Sequence, residues 1–117
     1  MERGRIETFQ EYQKATGRTR RSTRDWNGMV SNFALGLCGE SGEVADRIKK
    51  VVYHGHAADQ ECTDYVAKEL GDILWYVASL AAMFGLDMGD IAAQNIEKLA
   101  KRYPEGFSSE RSINREE

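Results

Sequence analysis

Glu40 and Glu43, in Gly39-Glu40-Ser41-Gly42-Glu43, and Glu69 and Asp72, in Glu69-Leu70-Gly71-Asp72, form two carboxylate pairs with the same three-residue spacing. Helical sequence surrounds both, and residues three apart on a helix share a face. Two such helices packed side by side bring four acids together. Carboxylates that close repel one another unless a hard cation joins them, and an all-oxygen ligand set suits Mg²⁺ or Mn²⁺. A divalent ion held in this way is the usual requirement of phosphate chemistry. Taken singly, each pair reads as a solvated helix surface, with Glu69 paired to a lysine. Two pairs, each beside glycine and embedded in apolar sequence, read as metal ligands.

Positioning these acids falls to helices, expected from the apolar periodicity and from a single proline, Pro104. The first helix is expected over Ile6 to Thr16, closed by Gly17. The second enters at Asp25-Trp26-Asn27 and runs to about Tyr53, with Met29, Phe33, Leu37, Val44, Ile48 and Val51 at helical spacing. Gly36, Gly39 and Gly42 lie inside it, and a helical glycine costs about 1 kcal/mol relative to alanine. That cost predicts close approach of a neighbouring helix or ligand, or else a break near Gly36. The third helix spans Asp59 or Gln60 to Phe84, with Val66, Leu70, Ile73, Val77, Leu80 and Phe84 as its apolar stripe. Asp87 caps a fourth, which reaches about Tyr103. Glu40, Glu43, Arg47 and Lys50 share one face of the second helix; Tyr65, Glu69, Asp72 and Tyr76 form a polar stripe on the third. Facing each other, these rims make a cleft with an acidic floor. Residues 1–107 read as one all-α domain, and 108–117 as a polar, frayed tail.

At 117 residues, 41% of them hydrophobic, the chain has the size and composition of one globular domain. A net charge of -3 provides no general basic field, so nucleic acid is not an expected partner. The segment Arg18-Thr19-Arg20-Arg21-Ser22-Thr23-Arg24 reads as a solvated connection or as a phosphate-facing lid. Cys38 and Cys62 lack ligand spacing, which argues against a disulfide scaffold or zinc site and fits a reducing cytoplasm. The N-terminus lacks the apolar stretch of a signal peptide, and the apolar run from Ile73 to Leu86 is too short for a bilayer, so no membrane partner is expected. His54 and His56 have no third ligand nearby and read as helix-end residues.

Longer blocks carry a resemblance. Gly36-Leu37-Cys38-Gly39-Glu40-Ser41-Gly42-Glu43-Val44-Ala45-Asp46 with Lys49-Lys50, then Glu69-Leu70-Gly71-Asp72-Ile73-Leu74-Trp75-Tyr76, then Asn95-Ile96-Glu97-Lys98-Leu99-Ala100-Lys101-Arg102-Tyr103-Pro104, resemble in order the signatures of MazG-type nucleotide pyrophosphohydrolases. Tyr12-Gln13 suits that family's opening helix, so the match runs from Phe9 to Phe107. The resemblance implies an all-α bundle of four to five helices, working as a homodimer or as a dimer of dimers. It implies Mg²⁺-dependent hydrolysis of a nucleoside triphosphate to the monophosphate and pyrophosphate, as nucleotide-pool house-cleaning, with Mn²⁺ as a substitute ion. Glu40, Glu43, Glu69 and Asp72 match the family's metal ligands, and one of them, such as Glu43, accepts a proton from water. Charge on the leaving group requires cations, for which Lys50, Lys98 and Arg102 are the candidates. Lys98 and Arg102, one turn apart, also read as solvated cations at a helix C-terminus. Asn95 has the donor and acceptor that a base edge needs, and Asn32 is a further candidate. Tyr76, one turn past Asp72, suits a sugar or base. Trp26 and Trp75 read as core or subunit contacts ahead of stacking platforms.

Two other functions fit the same scaffold. One is phosphoribosyl-ATP pyrophosphohydrolase, with the same metal logic. The other is a non-catalytic helical adaptor, against which the four intact acids weigh. Leu74, Trp75, Ala78 and Ala81 extend the apolar surface of the third helix beyond its main stripe, which predicts a subunit interface there and active sites that borrow groups across it.

Overall fold

Every helix begins on a side-chain oxygen. In the computed structural model, which describes residues 4–23 and 25–115, the helices are α1 (Phe9–Thr16), α2 (Trp26–Tyr53), α3 (Gln60–Met83), α4 (Met88–Arg102) and α5 (Ser109–Ile113). Thr8, Asp25, Asp59, Asp87 and Ser108 cap them in turn, each accepting a backbone N–H of the first turn. Such a cap contributes about 1 kcal/mol. The Thr8 cap is why α1 starts at Phe9 and not at Ile6. In the tail expected to fray, Ser109–Ile113 form α5 instead, while Glu116 and Glu117 lie outside the described residues. Arg111 Nε donates to the Arg102 carbonyl at 2.6 Å and ties α5 to the end of α4.

α2 is one uninterrupted helix of 28 residues, so the break considered near Gly36 does not occur. Close approach explains that glycine: a Cβ there would overlap the ring of Tyr76 on α3. α2 and α3 make the main packing of the molecule. Gly36 meets Tyr76 and Glu43 meets Glu69, so the two helices run antiparallel. Gly55, at φ +73°, turns the chain between them, and Gly85, at φ +65°, turns it from α3 into α4. α3 and α4 are bent by 102° at that break.

α1 lies against α3 and α4. Gln13 fastens it there: its Nε2 donates to the Leu86 carbonyl at 2.8 Å, and its Oε1 accepts the Met88 N–H at 3.0 Å. Beneath α1 sits the core of Ala78, Ala81 and Met88, with Tyr12, Leu74 and Val77 packed on it. This corrects the expected subunit face. Ala78 and Ala81 are buried within the chain itself, and Trp75 stands between Phe33 and the segment after α1. Helix periodicity reports that a face is apolar, not what covers it. Leu70 and Phe84, assigned to the inner stripe, are 53% and 57% exposed, and Leu35 is 73% exposed. The Cα radius of gyration is 17.5 Å, against about 13 Å for a compact chain of this length. Among the described residues, no single helix is long and apolar enough to cross a membrane.

Thr19 and Arg20 anchor the arginine-rich segment, whose Arg24 lies outside the described residues, contrary to a reading as solvent-facing connection throughout. Arg20 Nη2 donates to Thr16 Oγ1 at 2.7 Å and its Nε to Ser79 Oγ at 3.1 Å, while its guanidinium lies 5.9 Å from the Trp75 ring centre. Burial lowers the Arg20 pKa. Trp75 Nε1 donates to Thr19 Oγ1 at 2.8 Å. Ser79 is fully buried, so Arg20→Leu leaves two buried hydroxyls without this partner. The expected loss is about 1–3 kcal/mol, read from urea unfolding midpoints.

Candidate metal centre

The antiparallel register sets Glu40 and Glu43 of α2 opposite Glu69 of α3. One carboxylate oxygen from each lies within 4.8 Å of the others. Glu69 is only 8% exposed, and Glu40 is half-buried. Glu40 Oε2 and Glu69 Oε2 are buried and accept no hydrogen bond. A buried carboxylate oxygen without a donor is costly. The cations one turn on along α2 are directed elsewhere. Lys50 and Lys49 pair with Asp46 at 2.9 and 3.2 Å, and the Arg47 guanidinium lies 4.1 Å from the Tyr65 ring centre. Clustered carboxylates with unpaired oxygens fit a hard divalent cation in donor chemistry and in charge.

Asp72 stands beside this group, exposed and outside the 4.8 Å set. Its charge still reaches the cluster, where it helps to raise the pKa of both Glu43 and Glu69. It also contributes, after burial, to the raised pKa of Tyr12 on α1. For Glu43 the largest cause is the close approach of the Glu69 carboxyl, followed by the Glu69 charge. For Glu69 it is the close approach of the Glu40 carboxyl, with burial and the charges of Glu40 and Asp72 adding to it and the Glu43 carboxyl opposing it.

The raised values make a stability prediction whose sign follows from linkage. A carboxyl that holds its proton more tightly folded than unfolded stabilises the fold below its ordinary value of 4.5. That contribution disappears as pH rises through the raised folded values. In EDTA, the melting temperature of the wild type relative to Glu69→Gln should therefore fall from pH 4.5 upward. Added Mg²⁺ should reverse the fall. A difference that stays flat with pH would contradict the clustering.

The remaining candidates are distributed unevenly. Tyr76 lies beside the acids, its ring against Gly36 and edge-on to Trp75 at 5.2 Å between centres. Lys50 is held by Asp46. Asn95 is exposed on α4. Lys98 and Arg102 line a separate cleft between α4 and α5, with none of the four acids on its wall. Trp26 stacks edge-on with Phe84, with 5.5 Å between centres, and its Nε1 donates to the Met83 carbonyl. His54 is the C-cap of α2.

Sequence reasoning missed a second hollow of about 310 Å³, where Thr19 and Arg21 approach Asn32, Phe33 and Trp75. Asn32 and Trp75 were candidates by chemistry. Thr19 and Arg21 lie in the segment read as a solvated connection or a phosphate-facing lid, and only the fold of the connection after α1 shows that they reach α2.

The sequence has counterparts among known proteins. Residues 30–107 match the MazG nucleotide pyrophosphohydrolase domain, and the chain belongs to that family. It is also similar to the Gene 37 protein of Mycobacterium phage L5. The two are 36% identical over 78 residues, which cover 66% of this chain and 68% of the phage protein. No solved structure matches significantly.

Proposed function

We propose that the protein is a Mg²⁺-dependent nucleoside triphosphate pyrophosphohydrolase that cleaves between the α and β phosphates, releases the monophosphate and pyrophosphate, and keeps the nucleotide pool clean. The observation that carries this reading is the cluster of Glu40, Glu43 and Glu69, with two buried oxygens lacking donors. Glu40, Glu43 and Glu69 would hold the ion, with Asp72 joining from their edge. When bound, a divalent ion supplies charge neutralisation for the phosphates and acidifies water.

The chain's own groups suit the rest of the substrate. Asn32, Gly36 and Glu40 follow one another by single turns on α2, so the hollow beside Asn32 lies roughly 12 Å of helix axis from the acids. That separation suits a nucleoside whose phosphate end lies toward the carboxylates. Trp75 and Phe33 offer apolar walls for a base and Asn32 a hydrogen-bonding edge. Tyr76, between this hollow and Asp72, packs on the sugar. Glu43, the most exposed of the three glutamates, suits the role of proton acceptor.

Lys98, Arg102 and Asn95 come from α4, which packs on α1 and not on the acid-bearing face. They reach a substrate on the acids in a homo-oligomer, where one copy lends its α4 to another. The loose packing of the single chain and the exposed Leu35, Leu70 and Phe84 favour such a homodimer or dimer of dimers. Sedimentation should show no stable monomer at micromolar concentration.

The test is pyrophosphate release from a panel of canonical, deoxy and modified nucleoside triphosphates, and from phosphoribosyl-ATP, with Mg²⁺ and with EDTA. Release from at least one nucleoside triphosphate, abolished by EDTA, is expected. Turnover of phosphoribosyl-ATP alone would move the protein to histidine synthesis. Absence of both turnover and Mg²⁺ binding in calorimetry would leave a helical adaptor.

A further inference from the structure

A tryptophan ring has one hydrogen-bond donor and no acceptor, so the group that takes its N–H sets the direction of the ring. For Trp75 on α3 that group is the Thr19 hydroxyl, at 2.8 Å and 56 residues earlier in the chain. The Thr19 hydroxyl proton goes the other way, to the Thr16 carbonyl at 3.2 Å. Its donor is thereby engaged, and an oxygen lone pair is left for the indole. The two bonds together give this hydroxyl one orientation.

The next residue fastens the segment that carries it. Arg20 bonds to the buried hydroxyls of Thr16 and Ser79, one on α1 and one on α3, and its guanidinium lies close to the Trp75 ring. On the far side, Phe33 of α2 meets Trp75 edge-on at 5.8 Å between centres, and Tyr76 meets it edge-on at 5.2 Å. Tyr76 lies against Gly36, one turn of α2 before Glu40. Thr19 thus begins a run of contacts that ends beside the acids. Thr19, Phe33 and Trp75 also share the wall of the hollow of about 310 Å³ with Asn32.

The bond between Trp75 and Thr19 is open to solvent. Water can take the place of such an acceptor, so losing it costs the fold little. Water does not hold the indole in one rotamer, however. The main consequence of the bond is orientation, and a ring already oriented spares a ligand the cost of ordering it. The family match begins at residue 30, so Phe33 and Trp75 lie inside the matched stretch while Thr19 and Arg20 precede it.

We propose that Thr19 is a positioning residue for the nucleoside: its hydroxyl fixes the Trp75 indole in the orientation against which a base packs, and so sets how firmly the hollow holds its ligand. This inference rests on the reading of that hollow as the place of the nucleoside. A flat apolar ring held still suits a planar base, since every base has a face to stack. The contact requires neither the phosphates nor a divalent ion.

The experiment uses the full chain carrying Trp26→Phe, which leaves Trp75 as the source of tryptophan emission. In this parent, Thr19→Val removes the acceptor and keeps the shape, while Thr19→Ser keeps the hydroxyl. The anisotropy decay of Trp75 is recorded in EDTA, and its emission is titrated with the canonical ribonucleosides and deoxyribonucleosides. Nucleosides carry no phosphate, so the titration reads the hollow independently of turnover at the acids. Melting temperatures, and KM and kcat for the matching triphosphate with Mg²⁺, complete the set.

Thr19→Val should melt close to the parent, depolarise Trp75 emission faster and bind the best nucleoside roughly three- to tenfold more weakly. KM should rise by the same factor with kcat little changed, and Thr19→Ser should behave as the parent. Unchanged anisotropy in Thr19→Val would overturn the proposal, as would a freed indole with undiminished nucleoside affinity. A melting temperature well below the parent, or Thr19→Ser behaving as Thr19→Val, would overturn it by showing a structural role. So would Trp75 emission in the parent that responds to no nucleoside. Nucleoside binding weakened by Thr19→Val, in a chain that cleaves no triphosphate, would uphold this inference and remove the proposed catalysis. Turnover abolished by EDTA, with an unchanged KM in Thr19→Val, would leave the catalysis and remove this inference.

Discussion

Glu43→Gln should lower kcat/KM for the best nucleotide by at least about a hundredfold while leaving the metal-free protein as stable as the wild type, or more so. The two halves of this expectation have one cause. A carboxylate oxygen of Glu43 lies within 4.8 Å of those of Glu40 and Glu69, and its pKa is raised mainly by the close Glu69 carboxyl and by that residue's charge. Such a group destabilises the metal-free fold at neutral pH, and under the proposed function a divalent ion and a phosphate chain would need it. The amide keeps the shape, removes one negative charge and cannot take up a proton from water. Pyrophosphate release and melting temperature in EDTA, measured on the same preparation, check both halves. Mg²⁺ should raise the melting temperature of the variant less than that of the wild type. A variant that loses activity by unfolding, with its EDTA melting temperature well below wild type, would show that Glu43 is structural. Asp72→Asn should reduce activity in the same direction without unfolding the chain; its position outside the close group makes the stability gain smaller.

Gly36→Ala is the second large effect, and its direction contradicts helix propensity. Alanine in a helix interior is favoured over glycine by about 1 kcal/mol. At Gly36, however, the added methyl would overlap the Tyr76 ring, which is flanked edge-on by Trp75. Overpacking of this kind costs about 1–3 kcal/mol, so the net change should be destabilising or close to neutral. The catalytic consequence is larger, because Tyr76 must move away from the face that carries Asp72 and Glu40. The Michaelis constant should rise more than kcat falls if Tyr76 packs on the sugar. A double-mutant cycle with Tyr76→Leu should recover part of the stability, since the smaller side chain leaves room for the methyl. An additive cycle would remove the contact as the reason for this glycine. Gly39 and Gly42 are different: a Cβ at either meets nothing within 4 Å, so alanine there carries no such clash within the chain.

These two expectations separate what was legible in the sequence from what was not. Periodicity and capping residues located α2, α3 and α4 closely, because Asp25, Asp59 and Asp87 sit immediately before apolar-periodic runs and the connections are short. The acid pairs were legible for the same reason: three-residue spacing on a helix is a local geometric fact. α1 was read three residues too long because the Thr8 hydroxyl competes successfully for the Glu11 N–H. α5 was missed because a five-residue helix has no periodicity to read, and its position depends on the Arg111 bond to Arg102.

By itself, the amino-acid sequence determined that the chain is helical, that carboxylates lie in pairs on two of its helices, and that cations gather near its C-terminus. These are properties of neighbours along the chain, which helix geometry converts directly into faces. Only the tertiary structure decided which carboxylates meet, that Asp72 stands at the edge of the other three, and that Arg20 is an anchor in place of a solvated charge. It likewise decided that Ala78 and Ala81 belong to the chain's own core. The physical reason is that register, bend and burial arise from contacts between residues far apart in sequence. Those contacts depend on how the α2–α3 hairpin and α1 pack together, which no local pattern encodes.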